Sequence, residues 1–312
     1  MTRYLITGGA GFIGSHLVEQ LAHDGNHVQV FDNLSTGLRS NLPIRDNVKL
    51  VEASILDPAA LKDALSDIDV IFHLAAAISV SESISDPQAC LRSNVDGTFH
   101  VLEAARQAGI KRVVLASSCA VYGDSIDPPV RENSPPSPQS PYAASKAMGE
   151  ALAESYFHSY GLKPVCLRFF NVYGPRQRAD SGYAAAIPGF IDKLSRGAPA
   201  TVFGDGLQTR DFVHVRDVAR ALALAGEMPS EALERRRVFN VGSGKPTSIL
   251  ELLEVIRQGG LSGPAPQFLP ARAGEVRHSY SDVSLAKDAL GFEAEIRIST
   301  GIRELIGHTV ST

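Results

Sequence analysis

Residues 7–14 read TGGAGFIG, set between the apolar run RYLIT (3–7) and a helical pattern that extends from Phe12 to about Asp24. A strand that feeds a glycine turn and then a helix opens a βαβ unit. Gly8, Gly11 and Gly14 are spaced G-x-x-G-x-x-G. Glycine there permits a tight turn, lets backbone approach a pyrophosphate, and brings helix close to strand, while the helix N-terminus offers partial positive charge. Asp32 ends the next run, HVQVFD, 18 residues past Gly14. A carboxylate at that place can bind the ribose hydroxyls of an adenosine and would repel a 2′-phosphate, which points to NAD over NADP. Arg39 lies nearby in sequence and reads as a solvated cation.

Working outward, short β-rich runs alternate with helical patterns: VKLVEA (48–53), DVIFHLA (69–75), RVVLAS (112–117) and PVCLRFF (164–170). Such alternation implies right-handed crossovers and a parallel sheet covered on both faces. The expected fold is α/β, a Rossmann-type doubly wound parallel sheet over 1–169, followed by a smaller C-terminal substrate-binding α/β domain over 170–312, with some of its segments returning to the first. Residues 87–108 and 142–160 each read as one long helix. Lying on one side of the sheet, these two either merely cover it or form a four-helix contact in a homodimer. The Pro/Ser-rich stretch 127–141 reads as a surface loop near the site, because residues that must meet flank it. Arg235–Arg237 reads as a solvated face.

The chain has 312 residues, 44% apolar and 21% charged, with a net charge of −4. That is an ordinary globular balance, and it offers no general attraction to nucleic acid or anionic lipid. Cys90, Cys119 and Cys166 are few, odd in number and without C-x-x-C spacing, which argues against a disulfide framework and against a metal site. The N-terminus starts a strand at once instead of a signal peptide, and the most apolar stretch, Val70–Val80, is too short to span a bilayer. A cytoplasmic protein is expected.

Tyr142 and Lys146, in SPYAASK (140–146), sit one helical turn apart, and Tyr142 follows Ser118 of ASSCAVYG (116–123) by 24 residues. A free phenol is a poor base at a reference pKa of about 10. A cation one turn along the helix favours the phenolate, and a hydroxyl nearby can pass the proton on. Against a nicotinamide, such a trio suits hydride transfer at a carbinol carbon. Alone, a Tyr/Lys pair at this spacing is ordinary surface packing; the preceding nucleotide-binding pattern reverses that reading.

With TGGAGFIG, FHLAA (72–76), SSCAVYG (117–123), YAASK (142–146) and GDGLQTRDFVHVRDVA (204–219), the chain resembles the extended short-chain dehydrogenase/reductases from residue 3 to about 290. More narrowly it is similar to the NAD-dependent nucleotide-sugar epimerases of the UDP-glucose/UDP-N-acetylglucosamine 4-epimerase type. The resemblance implies an isomerase with tightly bound NAD. It makes Tyr142 the acid/base, has Lys146 hold the nicotinamide ribose and depress the tyrosine pKa, and has Ser118 hydrogen-bond the reacting sugar oxygen. It assigns cofactor contacts to Gly8, Gly11, Phe12, Ile13, Gly14, Asp32, Asn33, Ser54, Ile55, Leu74, Ala75, Ala76 and Asn94, besides Tyr142 and Lys146. One departure is Ala53-Ser54-Ile55, where the family often carries an adenine-contacting aspartate.

Resembling dehydratases carry an Asp-Glu pair after the Ser118 position, and decarboxylases keep a glutamate there. Cys119 and Ala120 stand here instead, and neither moves a proton from a sugar carbon at neutral pH. The implied outcome is oxidation to a 4-keto sugar, rotation, and re-reduction on the other face. Asn171, Arg210 and Arg272 match the family's diphosphate-binding positions. Ser279 falls where narrower UDP-galactose enzymes carry a tyrosine, and the run GYAAAIP (182–188) resembles N-acetyl-accepting enzymes. The expectation is therefore interconversion of UDP-GlcNAc and UDP-GalNAc, with UDP-Glc/UDP-Gal as further substrates, serving polysaccharide or lipopolysaccharide synthesis. The alternatives are a UDP-glucuronate 4-epimerase, a nucleotide-sugar dehydratase or decarboxylase, and a non-catalytic nucleotide-sugar binder.

Overall fold

In the computed structural model, residues 1–124, 127–178, 186–271 and 276–310 are described. The strands are β1 (Arg3–Thr7), β2 (His27–Asp32), β3 (Val48–Glu52), β4 (Val70–His73), β5 (Arg112–Ser118), β6 (Lys163–Phe169), β7 (Asn171–Tyr173), β8 (Thr201–Phe203), β9 (Thr209–His214), β10 (Val238–Val241), β11 (Pro246–Ser248), β12 (Gln267–Leu269) and β13 (His278–Ser279). The helices are α1 (Phe12–His23), α2 (Pro58–Ala64), α3 (Val80–Ser85), α4 (Pro87–Leu91), α5 (Gly97–Ala108), α6 (Pro141–Tyr160), α7 (Ala186–Ser195), α8 (Val215–Glu227), α9 (Ile249–Gln258), α10 (Ser284–Leu290) and α11 (Ile298–Val310).

Seven strands form one parallel sheet in the order β3-β2-β1-β4-β5-β6-β10. Successive side chains of a strand point to opposite faces, so each inner strand feeds two cores. Ile6, Val30 and Phe72 pack with Leu17 of α1 and Leu222 of α8. Their neighbours Leu5, Phe31 and Ile71 pack on the other side with Leu61 of α2, Leu102 of α5 and Tyr156 of α6. The near-continuous apolar runs of the sequence follow from this two-sided burial. Strand order reverses between β1 and β4, and a crevice opens beyond the carboxyl ends of strands at such a reversal.

The sheet and a cover helix are tied at one further place. Arg112, at the start of β5, donates from Nη1 to the carbonyls of Ala225 (2.9 Å) and Gly226 (3.1 Å), and from Nη2 to that of Met228 (2.6 Å). These are orphan acceptors at the C-terminus of α8, where a cation also meets the negative end of the helix dipole.

The expected helix over 87–108 runs as α4, a π turn over Arg92–Asp96, and α5. The widened turn carries Asn94, whose Oδ1 accepts from Ala77 N (2.7 Å) and whose Nδ2 donates to Ala77 O (2.9 Å). Just beyond it Gly97 abuts Ile55, where a Cβ would come within 2.4 Å of Ile55 Cδ1. Helical periodicity does not announce a turn of this kind.

In the later part of the chain β9 pairs with β7, β11 and β13, and β8 pairs with β12. Tyr173, Phe190, Val202, Leu252, Ile256 and Ile302 build a separate core beneath them. The 127–141 stretch is less free than a surface loop. Val130 is buried, its N–H donates to Tyr280 O, its carbonyl accepts from Asp282 N, and Arg131 pairs with Asp282. No helix among the described residues is long and apolar enough to cross a membrane.

Candidate functional site

A cleft of ≈ 250 Å³ lies at the strand-order reversal, lined by the β1–α1 turn, the ends of β2, β4, β5 and β6, and the start of α6. Gly8, Gly11, Phe12, Ile13, Gly14, Asp32, Asn33, Ser54, Ile55, Leu74, Ala75 and Ala76 all line it, together with Tyr142 and Lys146. Its floor is backbone. Gly8 has φ +70°, and a Cβ there would stand 2.6 Å from Ala75 N; a Cβ on Gly14 would stand 2.2 Å from Gly8 O. No side chain caps the N-terminus of α1, which leaves its first N–H groups for an anion.

Asp32 is buried at the end of β2, with Oδ2 accepting from Ala10 N (3.0 Å) and Oδ1 from Leu34 N (2.8 Å). Those two bonds fix the carboxylate at the cleft wall and leave lone pairs for a diol. Arg39 pairs with Glu52 at 2.6 Å, both exposed, so it is occupied away from Asp32. Ser54 Oγ accepts from Leu56 N (3.2 Å) at the far wall. Asn94 is set back from the cleft. It lies behind the wall, 3% exposed, with its amide spent on Ala77 and on Ser145 Oγ (2.9 Å). It props the loop that follows β4 and does not line the cleft.

The first turn of α6 presents the phenol. Ser140 caps the helix by accepting from Ala143 N (3.1 Å), Pro141 occupies the first helical position, and Ser83 Oγ accepts from Tyr142 N (3.2 Å). Lys146 follows one turn on, with Nζ 5.9 Å from the Tyr142 ring centre and donating to Ala116 O at 3.0 Å. Ser118 ends β5, accepts from Ala120 N (3.1 Å), and places its hydroxyl where it favours the ionised form of the Tyr142 phenol. Burial pushes that phenol up to about 12, and the Ser118 hydroxyl is what opposes the rise. The Lys146 ammonium is directed at the Ala116 carbonyl, and burial holds its pKa down to about 8. Cys119, next to Ser118, has a thiol that burial pushes up to about 11, so it stays protonated at neutral pH.

The substrate-side expectations fall on the later strands. Asn171 opens β7, two residues beyond Phe169, which is the register partner of Ser118. Arg210 on β9 and Ser279 on β13 are register partners of each other. The Arg210 charge bears on the Cys119 thiol, which brings β9 to the end of β5. Arg272, and residues 182–185 of the GYAAAIP run, lie outside the described residues.

Two constellations escaped the sequence reading. Asp211, fully buried beside Arg210, accepts from the N–H and hydroxyl of Ser243 (2.7 and 2.6 Å), from Gly244 N (3.1 Å), and from the N–H and hydroxyl of Ser281. It knots β9 to the segment after β10 and to the chain beyond Ser279. Behind the trio, Glu150 of α6 takes a two-pronged ion pair from Arg168 of β6 and a hydrogen bond from Ser117. A charge inside the otherwise apolar run PVCLRFF was the available signal for the second.

Residues 4–242 match the NAD dependent epimerase/dehydratase family. The chain is 41% identical over 311 residues to a UDP-glucose 4-epimerase of Mycolicibacterium smegmatis, covering 97% of each. Among solved structures it is similar to a UDP-N-acetylglucosamine 4-epimerase from Methanobrevibacter ruminantium in complex with UDP-N-acetylmuramic acid, with 38% identity, a TM-score of 0.94, and coverage of 99% and 98%. It is likewise similar to a Thermus thermophilus UDP-glucose 4-epimerase complexed with NAD, with 36% identity, a TM-score of 0.89 and full coverage of both chains. The side-chain-free floor at Gly8 and Gly14, the open helix N-terminus and the diol-facing Asp32 fit that dinucleotide. A motif order legible from residue 3 onward, a cleft of this chemistry and these likenesses have one account: the chain is an enzyme of the NAD dependent epimerase/dehydratase family, with NAD as its cofactor.

Proposed function

We propose that this enzyme is a UDP-sugar 4-epimerase that interconverts UDP-GlcNAc and UDP-GalNAc and also accepts UDP-Glc and UDP-Gal. The observation that carries the reading is Tyr142 at the NAD cleft, its phenol favoured toward ionisation by Ser118, with only Cys119 and Ala120 following that serine. Dehydration or decarboxylation needs a second acid or base at a neighbouring carbon, and a thiol held near 11 beside an alanine does not supply one. When bound, NAD supplies the hydride acceptor and donor, together with a positive charge near the phenol. Tyr142 takes the proton from the sugar 4-hydroxyl and returns it, Ser118 holds that oxygen, and Lys146 holds the nicotinamide ribose. Gly8, Gly11, Gly14 and Asp32 anchor the pyrophosphate and adenosine ribose.

Residues 170–312 supply most of the UDP-sugar site, while β10 and its flanks serve the first sheet. Asn171, Arg210 and Arg272 hold the diphosphate while the sugar turns over. Ser279, paired in register with Arg210, leaves room for an acetamido group where a tyrosine would fill it. Half-exposed Phe99 on α5 and Met148 on α6 offer the apolar face of a four-helix homodimer contact. Three free thiols suit the cytoplasm, where such products feed polysaccharide or lipopolysaccharide synthesis.

The test is separate incubation with UDP-GlcNAc, UDP-Glc and UDP-glucuronate, without added NAD, with the products resolved chromatographically. UDP-GlcNAc should convert unaided. Turnover of UDP-glucuronate alone would replace the substrate assignment by the uronate alternative, and release of water or NADH would replace the reaction type. Tyr142→Phe should abolish turnover with the fold intact, and Ser279→Tyr should impair only the N-acetylated pair. An active Tyr142→Phe enzyme would mean that another group is the base.

A further inference from the structure

We infer that Glu150 and Ser117, backed by Arg168, are positioning residues that set the height of the Tyr142/Lys146 helix against the end of β5. Tyr142, Lys146 and Glu150 recur every four residues on α6, so all three face the strand. Each meets a consecutive residue of β5. The Tyr142 phenol is favoured toward ionisation by the Ser118 hydroxyl, Lys146 donates to the Ala116 carbonyl, and Glu150 Oε1 accepts from the Ser117 hydroxyl. Helix and strand are joined by three rungs.

The first two rungs belong to the reaction. The phenol and the Ser118 hydroxyl must exchange partners with the sugar oxygen, and Lys146 must share its ammonium with a ribose. Neither can hold the helix steady throughout turnover. In the third rung Ser117 lines the cleft, but its hydroxyl proton is committed to Glu150, so that bond stays made.

It is also the stiffest. Arg168 Nε and Nη2 donate to Glu150 at 2.9 and 2.7 Å, and Arg168 is itself the register partner of Ser117 on the adjoining strand. Side-chain exposures of 5% for Arg168 and 11% for Glu150 remove competing water. Arg168 is fixed in turn by the Glu132 carbonyl at 3.2 Å and by the Tyr122 ring, 4.6 Å from its guanidinium carbon. Between the rungs lies a space of ≈ 20 Å³ whose lining includes Ser117, Lys146 and Glu150, with Asn94 bracing the helix through Ser145 on another wall. A bidentate ion pair between β6 and α6, relayed by one hydroxyl to β5, holds the reacting pair in place.

The inference rests on the proposed 4-epimerase reading, and the test separates the two. Ser117→Ala removes the relay hydroxyl while keeping the Glu150–Arg168 pair. At a temperature well below unfolding, kcat should fall roughly 10- to 100-fold, as expected when reacting groups lose their alignment. KM and NAD content per chain should stay within about twofold of wild type, because the Ser117 hydroxyl proton is committed to Glu150 and not to a ligand. A purely structural role would lower the unfolding temperature and leave kcat alone.

Glu150→Gln keeps the volume but weakens the fork to Arg168, and should show the same split with a larger loss in kcat. If that variant fails to fold, Ser117→Ala decides alone. A wild-type kcat in Ser117→Ala, or a loss shared equally between kcat and KM, overturns the inference. Tyr142→Phe is assayed alongside: if it is active, the catalytic reading has failed; if it is inactive while Ser117→Ala is unimpaired, only the positioning role has failed.

Discussion

Replacing Gly14 by alanine tests the cofactor cradle at its tightest point. The added Cβ would stand 2.2 Å from the Gly8 carbonyl oxygen and 2.7 Å from Gly9 Cα, where ordinary contact begins at 3.4 Å. Both neighbours are backbone, so no rotamer change relieves the clash. The turn and the first turn of α1 must part by about 1 Å, at an overpacking cost of ~1–3 kcal/mol. That movement carries the helix N–H groups away from the pyrophosphate they serve. If binding bears most of it, NAD affinity should fall roughly 10- to 100-fold. The assay is calorimetric titration of NAD into apoprotein, with cofactor content of the purified protein measured after acid release. Gly25→Ala is the matched control: its φ of +81° makes alanine strained, but nothing lies within 4 Å of the new carbon. That control should lose stability of about 1 kcal/mol with no change in NAD binding. Wild-type NAD affinity in Gly14→Ala would refute the cradle as drawn.

Arg112→Met should destabilise the fold by about 2–4 kcal/mol, since it strips three charge-assisted bonds from the end of α8. Denaturant unfolding reads the loss, and kcat below the transition should not change. Lys146 gives a pH signature. Its folded pKa is lowered to about 8 from an ordinary 10.5, so between these the unfolded chain binds more protons. Its contribution to stability is therefore lost as pH falls through 8 and gained as pH rises toward 10.5, at up to about 1.4 kcal/mol per pH unit. The phenol of Tyr142, raised to about 12 from 10.0, opposes this only above pH 10. The unfolding free energy of wild-type apoprotein relative to Lys146→Met should accordingly grow from pH 8 to pH 10. A difference flat with pH contradicts the burial of the ammonium.

The sheet was legible because two-sided burial writes continuous apolar runs, and because a glycine turn marks where the first one ends. β1 to β6 lie within a residue or two of those runs. β10 was not legible: VFNV has strand chemistry, but nothing local says that residues 238–241 return to pair with β6 after α8. The π turn was hidden for a related reason, since its Asn94 is paired with the distant backbone of Ala77. At the site, residues that line the cleft sit in compact motifs and could be read by position. Residues that meet one another could not. Glu150 resembles any exposed helical acid until Arg168 and Ser117 are seen on the strands behind it, and Asp211 draws on three stretches of chain far apart in sequence.

That last carboxylate has a consequence for recombining this enzyme with its relatives. Asp211 gathers Ser243, Gly244 and Ser281, so a crossover placed anywhere between residues 211 and 281 divides the knot among two parents. A chimera that inherits the acid from one parent must find serines of matching reach in the other. Breakpoints on the N-terminal side of β9 keep the whole set together, but they carry α8 and β10 of the nucleotide sheet along with it, so the sugar pocket and that edge of the sheet must come from one parent.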